Sequence, residues 1–338
     1  MITKKKMPEK TDPDWTLLRQ DTIGGSEIGA VLGLNEYESP YSLWAKKTGK
    51  LPPFEGNLAT EVGTAMEDFV ARKFAAISQM NVQRSNYIYF NDEFPNQHAL
   101  PDRMILQGNG RGRNVKYIAG LECKTCGSYG GRKYKGEDFP ASYYAQCVQY
   151  MAIMDVQTWY LAVLIGNYDF KIYRLVRGMT TEDAQWTNPA WCHASVAVDE
   201  AEIATMARQA NEFMMYVRTN QQPPLDGSEA TTDAMSMLMV DGDPNAGTLD
   251  MSYMAPVFAS YKMAVKEEKE AKQRKQEAQN LIRDAMGVYE KGRCGDIKIS
   301  CTTTTSAGSW DKDGLMRAFP GAINYYKPGK VTRKLTIK

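Results

Sequence analysis

The chain has 338 residues, with 41 Lys and Arg against 40 Asp and Glu, and only two histidines, His98 and His193. Its length suits one large domain with an appendage, or two domains, and the balanced charge leaves any nucleic-acid contact to local clusters of basic residues. The scarcity of histidine argues against histidine-based nucleases, His-rich zinc enzymes and serine hydrolases. Catalysis then falls to carboxylates, which suit hard metals such as magnesium or manganese.

In chain order, the basic start reads as a loose arm, residues 1–14. Asp12 or Asp14 then opens a short helix through Leu17 and Leu18 to Arg19. The stretch IGGSEIGAVLG, residues 23–33, leads from Gly24 and Gly25 into Ser26 and a short apolar helix. No Gly-Lys-Ser/Thr follows, so it is not a P-loop, and the glycine spacing does not fit a dinucleotide fingerprint. Ser39-Pro40 forms an N-cap and first turn, and that helix stops at Thr48-Gly49. Met66, Phe69, Val70, Phe74 and Ile77 make a helical stripe within Leu58 to Ser78.

Strands are expected over Val82 to Phe90, Ala99 to Leu106 and Val115 to Thr125, followed by a helix from Pro140 to Met154. Gln157 to Ile165 and Phe170 to Val176 read as a hairpin turning at Gly166-Asn167. A helix then runs from Glu200 to Arg218. These elements place a mixed α/β core at residues 15–224, with a linker or excursion at 225–250. A long helix, Met254 to Met286, and a small strand–helix–strand tail ending in KVTRKLTIK fill residues 251–338. The apolar stripe of that helix is Phe258, Tyr261, Val265, Leu281 and Ile282. It suits a coiled-coil or oligomerisation arm, or an amphipathic helix lying across the core.

Six cysteines at irregular spacing do not form a disulfide framework. Cys123-x-x-Cys126 is a lone pair, and Cys147, Cys192, Cys294 and Cys301 do not complete a metal set with it. No apolar leader or membrane span is recognisable, so a reduced, cytoplasmic setting is expected.

The candidate chemistry lies on two strands. Glu122 and Lys124 share one strand face, about 6 to 7 Å apart at Cα, and Cys123 points the other way. Asp102, on the neighbouring strand, can converge on the same face. Two carboxylates there would hold a divalent metal, and Lys124 could orient a water. The same residues also fit a solvated sheet face with an ordinary Glu–Lys pair. Glu67 lies on the buried side of its helix, where a carboxylate is costly unless paired or metal-bound; it could also reach solvent. Gln146 and Tyr150, at i and i+4, share a helix face that could meet a phosphate or a neighbouring helix.

In order, this set resembles the PD-(D/E)XK nuclease superfamily. More narrowly, GGSEIGAVLGLNEYESPYSLWAKKTG, GTAMEDFVARKF, LPDRMI, LECKT and YYAQCVQYMAIM resemble the YqaJ-type viral recombinases, relatives of the phage lambda exonuclease. The resemblance covers about residues 15–224. It implies a restriction-endonuclease-like α/β fold and metal binding by Asp102, Glu122 and the Cys123 backbone carbonyl. Glu67 would serve a second metal, Lys124 would position the attacking water, and Gln146 and Tyr150 would support the site. Arg19 and Ser26 would face the 5′ phosphate of a duplex end. A helix N-terminus suits phosphate, and glycines allow close approach, although Ser26 would also serve as a plain N-cap.

The activity so implied is a Mg2+- or Mn2+-dependent 5′→3′ exodeoxyribonuclease on linear duplex DNA. Its product would be a 3′ single strand for a single-strand annealing protein in phage-type recombination. The resemblance also implies a ring-shaped homotrimer. The alternatives are an endonuclease on the same core and a non-catalytic DNA-binding accessory protein. Two basic glycine-rich segments, Gly108 to Arg113 and Gly127 to Gly136, flank the site. The second carries Arg132, Lys133 and Lys135 with Tyr129 and Tyr134. It suits either a grip on phosphates and an unpaired base or a solvated loop.

Overall fold

Helix starts follow from side chains that accept backbone N–H groups and from prolines with preset φ. After strand β1 (Ile2–Lys6), Asp12 caps α1 (Pro13–Asp21), with its carboxylate 2.9 Å from the Asp14 nitrogen. Helix α2 (Gly25–Val31) begins at Gly24, and Glu27 closes its first turn by accepting from the Gly24 N–H at 3.0 Å. Ser39 and Ser42 cap α3 (Pro40–Lys47) reciprocally, and Asn57 caps α4 (Leu58–Ser78). This is a computed structural model that describes residues 1–9, 12–108, 116–239, 242–243, 245–302 and 311–321. The chain divides into two compact units, Met1–Val240 and Asp241–Lys338.

In the first unit there follow β2 (Asn81–Arg84), β3 (Tyr87–Asn91), β4 (Arg103–Leu106), β5 (Tyr117–Cys126), α5 (Ala141–Met154), β6 (Thr158–Ile165) and β7 (Asp169–Arg177). The unit closes with α6 (Thr181–Trp186), β8 (Ala194–Val198), α7 (Glu200–Thr219) and α8 (Glu229–Leu238). Six strands form one mixed sheet in the order β2-β4-β5-β6-β7-β8. β5 and β6 run parallel, with α5 as their crossover, whereas β4–β5 and β6–β7 are antiparallel. Gly166, at φ +58°, makes the tight β6–β7 turn, a conformation glycine adopts without a Cβ penalty.

Strand alternation sorts the side chains between two cores. Leu121 and Cys123 of β5 pack toward α4, with Val70, Phe74, Ile105 and Tyr160. On the opposite face Trp159, Leu161 and Val163 of β6 pack with Cys147 and Met151 of α5. A helix, three strands, a second helix and a strand parallel to the third, with helices on both faces, make the restriction-endonuclease-like α/β class expected from the motifs.

Several elements differ from expectation. Residues Ile2–Lys6, within the segment read as a loose arm, pair antiparallel with β3; backbone hydrogen bonds, not apolar alternation, hold them there. The single strand expected over Val82 to Phe90 breaks at Ser85-Asn86, because β2 joins the main sheet while β3 leaves to pair with β1. Phe69, placed in the buried stripe of α4, is 43% exposed. Helix α8 lies within the segment expected as a linker or excursion, and its buried Thr231 donates to Ser39 Oγ at 2.7 Å.

The second unit holds α9 (Ala255–Met286), an antiparallel hairpin of β9 (Lys291–Cys294) and β10 (Ile297–Ser300), and α10 (Lys312–Ala318). Met286 is the buried residue of α9, and Tyr261, Val265, Leu281 and Ile282 are exposed. The basic tail KVTRKLTIK, most of the Gly108 to Arg113 segment and Val115 lie outside the described residues. No described helix is long and apolar enough to cross a membrane.

Candidate active site

The register of β4 on β5 pairs Arg103 with Leu121, which sets Asp102 opposite Glu122. The Cys123 N–H donates to Asp102 Oδ2 at 2.8 Å and fixes that carboxylate at the strand end. Lys124, two residues beyond Glu122 and on its face, places Nζ 2.7 Å from Glu122 Oε1. Its ammonium also lies 4.8 Å from the ring centroid of Tyr143 on α5. Asp102, Glu122 and Lys124 are thus brought together as alternation predicts.

Helix α5 supplies the support. Gln146 Nε2 donates to Glu122 Oε1 at 2.6 Å and lies 3.2 Å from the Tyr150 hydroxyl. Both side chains are buried, so they back the carboxylate from inside instead of meeting solvent.

Burial pushes the Asp102 carboxyl well above the ordinary range, and the neighbouring Glu122 and Glu67 charges add to it. Burial likewise raises Glu122, against the pull of Lys124. For Lys124, burial disfavours the charge, but Glu122 and Asp102 outweigh it and hold the ammonium above its ordinary value. This is a crowd of buried negative charge with one cation.

Glu67 is near enough for its charge to act on both carboxyls, but it is already paired. Its carboxylate pairs with the Arg103 guanidinium, and among the described residues no three Asp, Glu, His or Cys side chains lie close enough together to hold a metal ion. The expected three-acid cluster is reduced to Asp102 and Glu122. The reason is electrostatic: Arg103 is 4% exposed, and a buried guanidinium requires a carboxylate partner.

Glu122 Oε2 is buried without a hydrogen-bond partner among the described residues. A lone pair in that position is costly unless it meets a cation or water. Hard oxygen donors from Asp102 and Glu122 suit a divalent ion, so the donor set fits a metal even though Glu67 is engaged elsewhere. The side chains of Lys124 and Glu67 keep 21% and 22% exposure, so the strand end opens to solvent.

At the start of α2, Gly24 is the N-cap, so Ser26 does not cap; it lies inside the first turn and is exposed. Arg19 reaches Glu27 Oε1 at 2.5 Å, and the buried Lys47 reaches Glu27 Oε2 at 2.8 Å. Gly25 is required by packing: a Cβ there would sit 2.3 Å from the Tyr150 ring. The sequence motifs miss Lys47, since nothing in WAKKTG marks one of two adjacent lysines as internal. In the loop after β5, Arg132, Lys133 and Lys135 are exposed, but Tyr134 is 2% exposed and belongs to the core, so it is not free to stack on a base. The cysteines are all free, with Cys123, Cys147 and Cys192 buried.

A mixed sheet carrying an Asp on one strand end and Glu-x-Lys on the next defines a restriction-endonuclease-like core. Residues 14–157 match the family model described as YqaJ-like viral recombinase domain. "Uncharacterized protein YqaJ" of Bacillus subtilis (strain 168) is 27% identical over 338 residues, covering 98% of this chain and 96% of that protein. Among solved structures, an alkaline exonuclease (LHK-Exo) from Laribacter hongkongensis is similar at 14% identity and a TM-score of 0.44, over 62% of this chain and 94% of that one. A phage related exonuclease from Haemophilus somnus 129PT is similar at 10% identity and a TM-score of 0.39, over 59% and 96%. These likenesses are distant; the fold class rests on strand order and register.

Proposed function

We propose that the chain is a divalent-metal-dependent deoxyribonuclease that digests linear duplex DNA from a 5′ end and leaves a 3′ single strand. The observation that carries this is the buried Asp102–Glu122 pair beside Lys124, with Glu122 Oε2 lacking a partner. Asp102, Glu122 and the Cys123 carbonyl would hold Mg2+ or Mn2+. When bound, the metal supplies positive charge at the scissile phosphate and makes water more nucleophilic. Lys124 orients the attacking water from the solvent-facing side. Gln146 fixes Glu122, and Tyr150 fixes Gln146. Glu67, engaged with Arg103, would need to leave that pair to serve a second ion.

Arg19 and the exposed Ser26 are the proposed contacts for the 5′ phosphate. Arg19, Lys47 and Glu27 together leave one net positive charge at the start of α2, which favours an anion. By the family resemblance, the working form would be a ring-shaped trimer that passes its 3′ strand to an annealing protein in phage-type recombination.

The test is digestion of end-labelled linear duplex and of closed circles with Mg2+, with Asp102→Ala and Lys124→Ala as controls. Loss of linear duplex, survival of circles and inactivity of both variants are expected. Near-normal digestion by either variant would overturn the site, and cleavage of closed circles would point to an endonuclease. Binding of Mn2+ without turnover would favour an accessory role. Removal of the 5′ phosphate should slow the wild type, and Arg19→Ala or Ser26→Ala should erase the difference.

A further inference from the structure

Two large aromatic side chains stand in solvent beside cations, one in the loop after α2 and one in the loop after β5, the strand that carries Lys124. Tyr37, between α2 and α3, is 83% exposed, and Tyr129, after β5, is 78% exposed. Lys133 Nζ lies 6.0 Å from the Tyr37 ring centroid, and the Arg132 guanidinium lies 4.6 Å from that of Tyr129. The two loops are joined by an ion pair between Lys133 and Glu36. The Lys124 ammonium sits over the ring of Tyr143. Three cation–ring pairs therefore occur in this region, Lys124 with Tyr143, Lys133 with Tyr37 and Arg132 with Tyr129.

We propose that Tyr37 and Tyr129 form a stacking platform for the bases of single-stranded DNA, with Arg132, Lys133 and Lys135 gripping its phosphates. The site would take an unpaired strand entering or leaving the catalytic centre, so its purpose rests on the nuclease function proposed above. Every base offers a π-face, and exposed rings beside cations combine stacking on bases with attraction for backbone phosphates. A docked protein would need a contiguous apolar patch, whereas each ring here sits beside charge. Packing gives no reason for the exposure, since neither ring is buried against the core. The Glu36–Lys133 pair is about half exposed on both sides; such pairs are worth roughly 0–1 kcal/mol and yield readily to a phosphate.

The experiment uses the full chain in EDTA, where no hydrolysis accompanies binding. Fluorescence anisotropy compares a labelled thymidine oligonucleotide with an abasic one of equal length and charge. Wild type should prefer the base-bearing strand by about tenfold or more, the range expected for aromatic stacking. Tyr37→Ala/Tyr129→Ala should lose that preference while keeping abasic affinity, and Tyr37→Phe/Tyr129→Phe should retain it. Arg132→Ala/Lys133→Ala should weaken both ligands alike. No preference in wild type, or a preference unchanged in the double alanine variant, overturns the platform. Duplex digestion is scored separately: a chain that digests DNA without tyrosine-dependent preference loses the platform alone, and one with the preference but no digestion loses the nuclease function alone.

Discussion

Arg103 holds Glu67. From its buried place on β4, the guanidinium donates from Nη1 to the Glu67 carboxylate and, at 2.8 Å, to the Asp102 carbonyl. The acid expected to serve a second metal is thus tied to the residue next to Asp102, the acid proposed to serve the first. Glu67→Ala would strand a guanidinium that is 4% exposed, leaving Asp68, 3.5 Å away and itself largely exposed, as the remaining carboxylate partner among the described residues. Breaking buried pairs costs about 3–5 kcal/mol, and the partial exposure of Glu67 places this one at the lower end. Urea unfolding should show the loss for Glu67→Ala and much less for Glu67→Gln, which keeps an acceptor. Equal stability of Glu67→Ala and wild type would mean that the pair contributes nothing. A duty in catalysis is then read from Glu67→Gln alone.

Lys47 and Glu27 form the second buried pair. Burial disfavours the Glu27 charge, but Lys47 and Arg19 outweigh it and hold the carboxyl below its ordinary value. Lys47→Met would leave that charge with the half-exposed Arg19 and the Gly24 N–H, at a cost of about 3–5 kcal/mol. Pairing Lys47→Met with Glu27→Gln removes the orphan, so the double variant should lose less than the sum of the singles. A double-mutant cycle on unfolding free energies should show coupling of roughly 1 kcal/mol or more; strict additivity would refute the pair.

The contrast between these two pairs and Glu122–Lys124 shows what local pattern conveys. Glu122 and Lys124 are two apart on a strand, so a period of two puts them on one face before any partner is known. Gln146 and Tyr150 follow from the helical period in the same way, and Ser39-Pro40 from capping chemistry. Lys47 and Glu27 are 20 residues apart and meet only because α3 folds against α2. Arg103 was invisible as the owner of Glu67 for the same reason. Strand β1 has five exposed residues and no alternation, so its pairing with β3 depends on backbone groups that every residue carries. Tyr134 and Tyr129 look alike in GSYGGRKYKG, yet the chain turns one into the core and leaves the other in water.

Gly25 tests the packing between α2 and α5. A methyl group there would lie 2.3 Å from Cε1 of Tyr150, a ring that is itself buried against Trp159 at 5.4 Å between centroids. Gly25→Ala must therefore displace Tyr150 and, through it, Gln146. Overpacking of this kind costs about 1–3 kcal/mol. Gly127 meets nothing within 4 Å, so Gly127→Ala should leave the unfolding midpoint unchanged. If the two variants behave alike, the close approach at Gly25 is not a constraint.

His98 gives a dependence on pH. It lies 2% exposed, with Nδ1 2.8 Å from Thr22 Oγ1, and burial pushes its imidazole from the ordinary 6.5 down to about 4. Glu27 opposes that shift, and Lys47 and Arg19 add to it. Between these two values the unfolded chain binds the proton and the folded chain does not. Stability is therefore full above about pH 6.5 and falls as the pH drops toward 4, by at most about 3 kcal/mol. The buried carboxyls of Asp102 and Glu122, raised in the folded state, act with the opposite sign as the pH falls through the range between their ordinary and raised values, so wild type alone would not isolate the effect. His98→Asn keeps a polar group near the Nδ1 position and carries no titrating ring. The stability difference between wild type and His98→Asn, measured by urea unfolding, should shift against wild type as the pH drops from 6.5 to 4. Parallel profiles over that range would show that His98 titrates normally in the folded chain.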